Sequence, residues 1–186
     1  TQQTDPLAPA FDALLPVLRK AGSLVISTHL NPDGDAIGCE LALACDLRVG
    51  AQGSQYGITS SRIGTVPGAG GTQRLPRIVG IANALDILFS ADPIDAGRAL
   101  QIGILNRLTG RGEALAKAKE MVGVYADRAP LSLQFAKRAV YAGMQMPLDD
   151  AIKFEAVVVS TVYQSSDKQE GIRAFLEKRP PRFTGR

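Results

Sequence analysis

Between Leu24 and Arg48 the hydrophobic period changes from that of a strand to that of a helix, and the change runs through one acidic turn. LVIST, residues 24–28, is a short apolar run rich in β-branched side chains and is expected to form a buried strand. HLNPDGD follows, a loop by its Asn, Pro, Gly and Asp content. AIGCELALACDLR then resumes at helical spacing through Ile37, Leu41 and Ala44 or Cys45. A strand, a tight loop and a helix in that order bury their apolar sides against one another, which points to a layered α/β fold.

The rest of the chain extends that pattern and then loses its strands. Ahead of the unit, PAFDALLPVLRKAG reads as a helix with Phe11, Leu14, Leu15 and Leu18 on one side, ended by Gly22. Beyond it, LRVG and SQYGI read as short strands. TVPGAGGTQRLPRIVG carries glycines at 64, 68, 70, 71 and 80 and is expected to start a helix near Gly70 or Gly71. Further helices are expected near 81–90, 95–102, 112–127 and 130–143, then through LDDAIKFEAVVVSTVYQS and DKQEGIRAFLEKR. In the first of these last two, Ile152, Ala156, Val159 and Tyr163 share a face. The expected division is 1–38 as a βα segment, 39–127 as an α/β core and 128–186 as a helical region.

Bulk properties exclude several classes. A net charge of +3, with Lys and Arg scattered apart from the tail EKRPPRFTGR, argues against a nucleic-acid partner. No run approaches the roughly 18 apolar residues of a membrane span, and TQQTDPLAP lacks the order of a signal peptide. The expected location is therefore cytoplasmic, with no membrane contact. Cys39 and Cys45 lie six residues apart, about 600° of helical rotation, on different faces of the expected helix; small core residues are the reading, not a disulfide or a nucleophile.

His29, Asp33 and Asp35 place one imidazole and two carboxylates at the end of a buried strand, where a loop converges them on a hard divalent cation such as Mn or Mg. LVISTHLNPDGDAIG resembles the first motif of the DHH phosphoesterases, over residues 11–38. That resemblance implies a two-metal site, and such a site also needs further histidines; His29 is the only one in the chain. Mn or Mg is therefore not expected as a required cofactor. The plainer reading is that Asp33 and Asp35 cap a helix and shape a turn.

On the other side of Gly38, CELALACDLRVG, then IGTVPGAGGTQRLPRIVG, then DKQEGIRAFLEKRPPRF resemble the enoyl-CoA hydratase and isomerase family, the crotonases, over residues 39–186. The resemblance implies a truncated crotonase-like ββα spiral with a C-terminal helical region that oligomerises, a homotrimer or hexamer, with a dimer as the alternative. It implies an acyl-CoA thioester as ligand and no required cofactor. Two backbone N–H groups of the family hold the thioester oxygen as it becomes an enolate, while carboxylates handle proton and water. Glu40 falls on the first of its two catalytic glutamates. Phe175 and Lys178 match tail positions that reach a neighbouring subunit's CoA site; a solvated basic helix end is the alternative.

Three departures accompany the resemblance. Where the hydratases carry three glycines before Cys-Glu, this chain has Ala36, Ile37 and Gly38, so the oxyanion N–H would come from Ile37. The second glutamate's place holds Ser60, and a lone hydroxyl is no general base at neutral pH. The family's N-terminal third is replaced by the segment of residues 1–38. VPGAGGTQR lacks the Lys-Ser/Thr ending of a nucleotide loop and reads as close packing. Three readings follow: an acyl-CoA-binding protein of the hydratase or isomerase type with impaired or no catalysis, a non-catalytic chimera that folds and oligomerises, and a phosphoesterase remnant.

Overall fold

The computed structural model describes residues 42–68 and 70–186, together with the backbone of Ile26–His29. The described residues fall into two compact units, one ending at Met121 and one running Val122–Arg186.

The first unit is built on a parallel sheet. Its strands are β1 (Ile26–His29), β2 (Leu47–Ala51) and β5 (Arg107–Thr109), in the order β1-β2-β5. Ile26 lies opposite Leu47 and His29 opposite Gly50, while Val49 lies opposite Arg107. Parallel strands need long crossovers, and the one from β2 to β5 holds most of the unit. It contains β3 (Gln55–Tyr56), a 3-10 turn at Ser60–Ile63, α1 (Gly71–Val79), α2 (Ile81–Ser90), β4 (Ile94–Asp95) and α3 (Ala96–Gln101). β3 and β4 pair antiparallel. The buried residues Tyr56, Ile58, Leu75, Ile87, Ala99 and Leu105 belong to one core, so each piece of the crossover contributes an apolar side to it.

Arg48 fixes how β2 enters this sheet. Its guanidinium is buried, and its Nη1 donates to the Cys45 carbonyl at 2.6 Å while its Nε donates to that of Ile104. Its own backbone N–H reaches Asn106 Oδ1 at 2.8 Å, and Asn106 returns a backbone N–H to the Arg48 carbonyl at 2.8 Å. One side chain thus ties the turn before β2 to the segment before β5. Two residues on, Gly50 lets the core close: a Cβ there would overlap Tyr56 Oη and a Leu105 methyl.

These contacts correct the sequence reading at the start of the unit. The helical spacing was read through Ala44 or Cys45, one or two residues beyond Leu43, where the described helix ends, and LRVG was expected as a strand. Cys45 N–H closes a turn onto the Ala42 carbonyl at 3.1 Å, and the strand begins at Leu47. The turn that brings the Cys45 carbonyl to the Arg48 guanidinium ends the helical period there. His29, expected in the loop, is the last residue of β1. The helices expected at 81–90 and 130–143 have those bounds, and those near 95–102 and 112–127 are shorter by one or two residues at each end. The expected helix at residues 9–22 lies outside the described residues.

The second unit is helical: the end of α4 (Ala114–Ala126), α5 (Pro130–Gly143), α6 (Leu148–Tyr163) and α7 (Ser166–Leu176). Pro130 opens α5 at its first position, where a missing N–H costs nothing. Short connections make α5 and α6 a hairpin, with Gly143 against Ala151. Ser165 caps α7, accepting the Lys168 N–H at 3.1 Å.

The tail then folds back along α7. Asp167, 1% exposed, accepts the backbone N–H groups of Thr184 at 2.6 Å and Gly185 at 2.7 Å. Glu170 takes a bidentate pair from Arg179 at 2.6 and 3.0 Å and the Arg182 N–H at 2.9 Å. No described helix is long and apolar enough to cross a membrane.

Two outcomes are expected. Arg48→Met leaves the Cys45 and Ile104 carbonyls without their buried donor and should lower stability by about 2–4 kcal/mol, read from the denaturant midpoint. The hydrogen bonds from Arg179 and Arg182 hold the Glu170 carboxyl well below its ordinary 4.5, to about 2. Its contribution is therefore full above pH 4.5 and lost as pH falls toward 2. Thermal scans across that window should show Glu170→Gln with a shallower fall in midpoint than the wild type.

Candidate functional site

Ser60 opens the 3-10 turn that follows β3, at the C-terminal side of Ile58, itself 1% exposed and a core residue. Tyr56 is fastened just before it, its hydroxyl 2.9 Å from Ser54 Oγ, which donates to the Ala51 carbonyl at 2.6 Å. The turn is closed by Gly64 in the left-handed region at φ 74°, where glycine pays no steric penalty. Thr65 N–H returns to the Ser60 carbonyl at 3.2 Å. The turn therefore holds Ser60 by its carbonyl, which accepts the Gly64 and Thr65 N–H groups. Its side chain is inside: the residue is 6% exposed, and its hydroxyl has no hydrogen-bond partner among the described residues.

The glycine-rich stretch runs from this turn into α1. Gly70, at φ 84°, sets the entry to the helix, and its carbonyl accepts the Gln73 and Arg74 N–H groups at 3.1 and 2.8 Å. Its role in the described structure is to start a helix and keep the loop close to it. Beside it lies a hollow of about 480 Å³ between the loop and α2, lined by Ser61, Val66, Pro67, Ile81, Leu85 and Phe89 among others. The sequence reading missed this hollow. Its signal was the spacing of Ile81, Leu85 and Phe89, one helical stripe on α2.

Of the other candidates, some lie within the described residues. Glu40, Ile37, Gly38, Asp33 and Asp35 lie outside the described residues. His29 is placed by its backbone alone, at the end of β1. Among the described residues no cluster of metal-ligating side chains occurs. Phe175 and Lys178 sit at the far end of α7 in the second unit, Phe175 81% exposed and Lys178 turned off the helix at φ 52°. Cys45 is buried, and burial pushes its thiol up, with the nearby Arg48 charge acting the other way and Asp46 adding to the rise. A protonated, enclosed thiol is a packing residue, not a nucleophile.

The chain is similar to known proteins over most of its length. The model of the family described as enoyl-CoA hydratase/isomerase matches residues 2–186. The crotonyl-CoA hydratase of Syntrophomonas wolfei is 39% identical over 146 residues, 78% of this chain and 56% of that protein. The mitochondrial methylglutaconyl-CoA hydratase of Rattus norvegicus is 33% identical over 185 residues, 96% of this chain and 59% of that protein. The chain thus spans little more than half the length of these relatives. Among solved structures, an enoyl-CoA hydratase from Mycobacterium tuberculosis H37Rv superposes with a TM-score of 0.82 at 32% identity, covering 91% of this chain and 67% of that one. One from Bacillus anthracis gives 0.80 at 27% identity, covering 99% and 73%.

The match corrects one expectation. It runs through residues 11–38, likened above to a phosphoesterase motif, so that stretch is accounted for without a second family. With the crotonase-like fold and a match over nearly all of its length, the chain belongs to the enoyl-CoA hydratase/isomerase family.

Proposed function

We propose that this chain binds acyl-CoA thioesters and polarises the thioester carbonyl, with a hydration activity far below that of a two-acid site. The observation that carries the reading is Ser60. It occupies the turn three residues after Gly57, where the hydratases resembled by this sequence carry their second glutamate, and it is buried there with a hydroxyl that has no hydrogen-bond partner among the described residues.

The chemistry follows from what remains. Addition of water across a carbon–carbon double bond conjugated to a thioester needs a base for the water, an acid for the α-carbon and donors for the developing enolate oxygen. Glu40 is the carboxylate assigned to proton transfer, and the backbone N–H of Ile37, beside Gly38, is assigned to the oxygen. A backbone donor survives the change of side chain, so charge stabilisation is retained while half of the acid–base pair is absent. Loss of one such partner typically costs about 10²–10⁴-fold in rate. No metal or organic cofactor enters this scheme.

Self-association belongs to the same reading. α6 turns Leu148, Ile152, Val159 and Tyr163 outward, and with Val140 and Met144 of α5 they border a groove of about 620 Å³. Contiguous apolar surface of this extent is what assemblies bury. Phe175 and Lys178, exposed at the end of α7, are then the residues available to a neighbour's CoA site. A folded assembly without catalysis is the second reading, favoured by the same exposed faces.

Titration calorimetry with acetoacetyl-CoA should give a saturable heat, and its absence would remove the thioester-binding reading. Crotonyl-CoA hydration by the wild type should lie about 10²–10⁴-fold below that of Ser60→Glu. Ser60→Ala, which loses no hydrogen bond to a described residue, should match the wild type in rate and fold. If the wild type already hydrates as fast as Ser60→Glu while that variant folds and binds, the single-acid scheme is wrong. Binding without measurable hydration in either form selects the non-catalytic reading.

A further inference from the structure

We infer that Glu170 and Arg179 are positioning residues: they lock Lys178 into a strained turn and so hold its ammonium ready for the phosphates of an acyl-CoA. This rests on the thioester-binding reading above and adds to it the pair that aims the cation.

α7 ends in a pattern that glycine normally closes. The Arg179 N–H reaches back to the Ala174 carbonyl at 3.0 Å, and inside that bond the Lys178 N–H reaches the Phe175 carbonyl at 3.2 Å. Such a turn needs a left-handed residue, and here it is Lys178, at φ 52°. Glycine takes that conformation freely, whereas any side chain crowds the carbonyl that follows it. Ala91, at φ 53°, is the other described non-glycine residue in this region, and it is 1% exposed, held by the core around it. Lys178 is exposed, so packing does not account for it.

The next residue does. Arg179 places Nη1 and Nη2 on the Glu170 carboxylate at 2.6 and 3.0 Å and Nε on that of Glu177 at 2.6 Å. Glu170 in turn accepts the Arg182 N–H at 2.9 Å. Lys178 stands between Glu177 and Arg179, so it cannot relax to an ordinary backbone without pulling the guanidinium off both acids. The strain is therefore sustained by one fork of charge-assisted hydrogen bonds.

That fork also leaves a charge over. Arg179 engages the two nearby carboxylates, Glu170 and Glu177, and Lys178 has no ion pair among the described residues. A helix end needs neither a strained lysine nor an unneutralised one. A polyanionic ligand uses both, because a compact ammonium on a fixed backbone loses less freedom when it meets a phosphate.

Titration calorimetry tests the pair with two ligands, acetoacetyl-CoA and acetoacetyl-pantetheine, which carries the same thioester without the CoA phosphates. Glu170→Gln and Lys178→Gly should each weaken binding of the CoA ester by about 5-fold, the worth of one exposed charge contact, and leave binding of the pantetheine ester unchanged. Lys178→Gly should also keep or raise the thermal midpoint, since glycine fits the left-handed turn. Adding Glu170→Gln to Lys178→Gly should cost no further affinity, because no cation is left to aim. Circular dichroism checks that each variant folds; should Glu170→Gln fail, Arg179→Lys, which keeps the charge and loses the fork, takes its place with the same expectation. Losses that add in the double variant, equal weakening of both esters, or variants that bind the CoA ester as the wild type does overturn the inference. A wild type that binds neither ester overturns the thioester reading with it.

Discussion

The guanidinium of Arg48 sits where water cannot reach it, donating to main-chain oxygens of two segments that are 56 residues apart in sequence at the longer link. Burying a cation is tolerable only when its donors are satisfied, so the carbonyls of Cys45 and Ile104 must be held where they are. That requirement orders the first unit. It ends the preceding helical turn at Leu43, places β2 between β1 and β5, and brings Asn106 into its reciprocal bonds with the Arg48 backbone. Once β2 is placed, the missing side chain of Gly50 admits Tyr56, and Tyr56 begins the approach to Ser60. The position of the candidate site therefore derives from a charge with no part in its chemistry.

What the sequence made legible follows the range of the forces involved. α2 and α5 were readable to the residue because their periods, the glycine before α2 and the proline opening α5 act within a turn or two. β4 and β5, two and three residues long, carry no period of their own; each exists because a partner strand supplies its hydrogen bonds. The helical spacing of CELALACDLR ran one or two residues too far because the Cys45 carbonyl is taken by Arg48, while LRVG was legible as the strand it forms. Ser60 could be found by counting from Tyr56-Gly57, whereas its burial could not, because that depends on Ile58 and the Gly64 turn fixing the backbone around it. The metal reading of His29 with Asp33 and Asp35 was chemically sound for three ligands and lacked the rest of a site.

The two units bury polar groups in different ways. The first uses main-chain oxygens around one cation, and leaves Ser60 as a desolvated hydroxyl without a partner among the described residues. For the chemistry proposed above, a dry site is an advantage, because fixed donors act more strongly where the dielectric is low. The second unit uses two carboxylates, the buried Asp167 and the half-buried Glu170, each gathering several donors from the same tail. Here the buried anion organises a segment that has no secondary structure to organise itself.

That tail has a practical geometry. Ser166 Oγ and the Asp167 N–H both bind the Arg186 carbonyl, at 2.7 and 3.1 Å, so residue 186 returns to the start of α7. An 11-residue helix is about 16 Å long, which separates Arg186 from Leu176 by most of that length. Anything fused beyond Arg186 would leave the molecule beside Ser165 and away from the apolar helix end. A tether placed there would hold this chain on a surface or a fluorophore with Phe175 and Leu176 still turned outward.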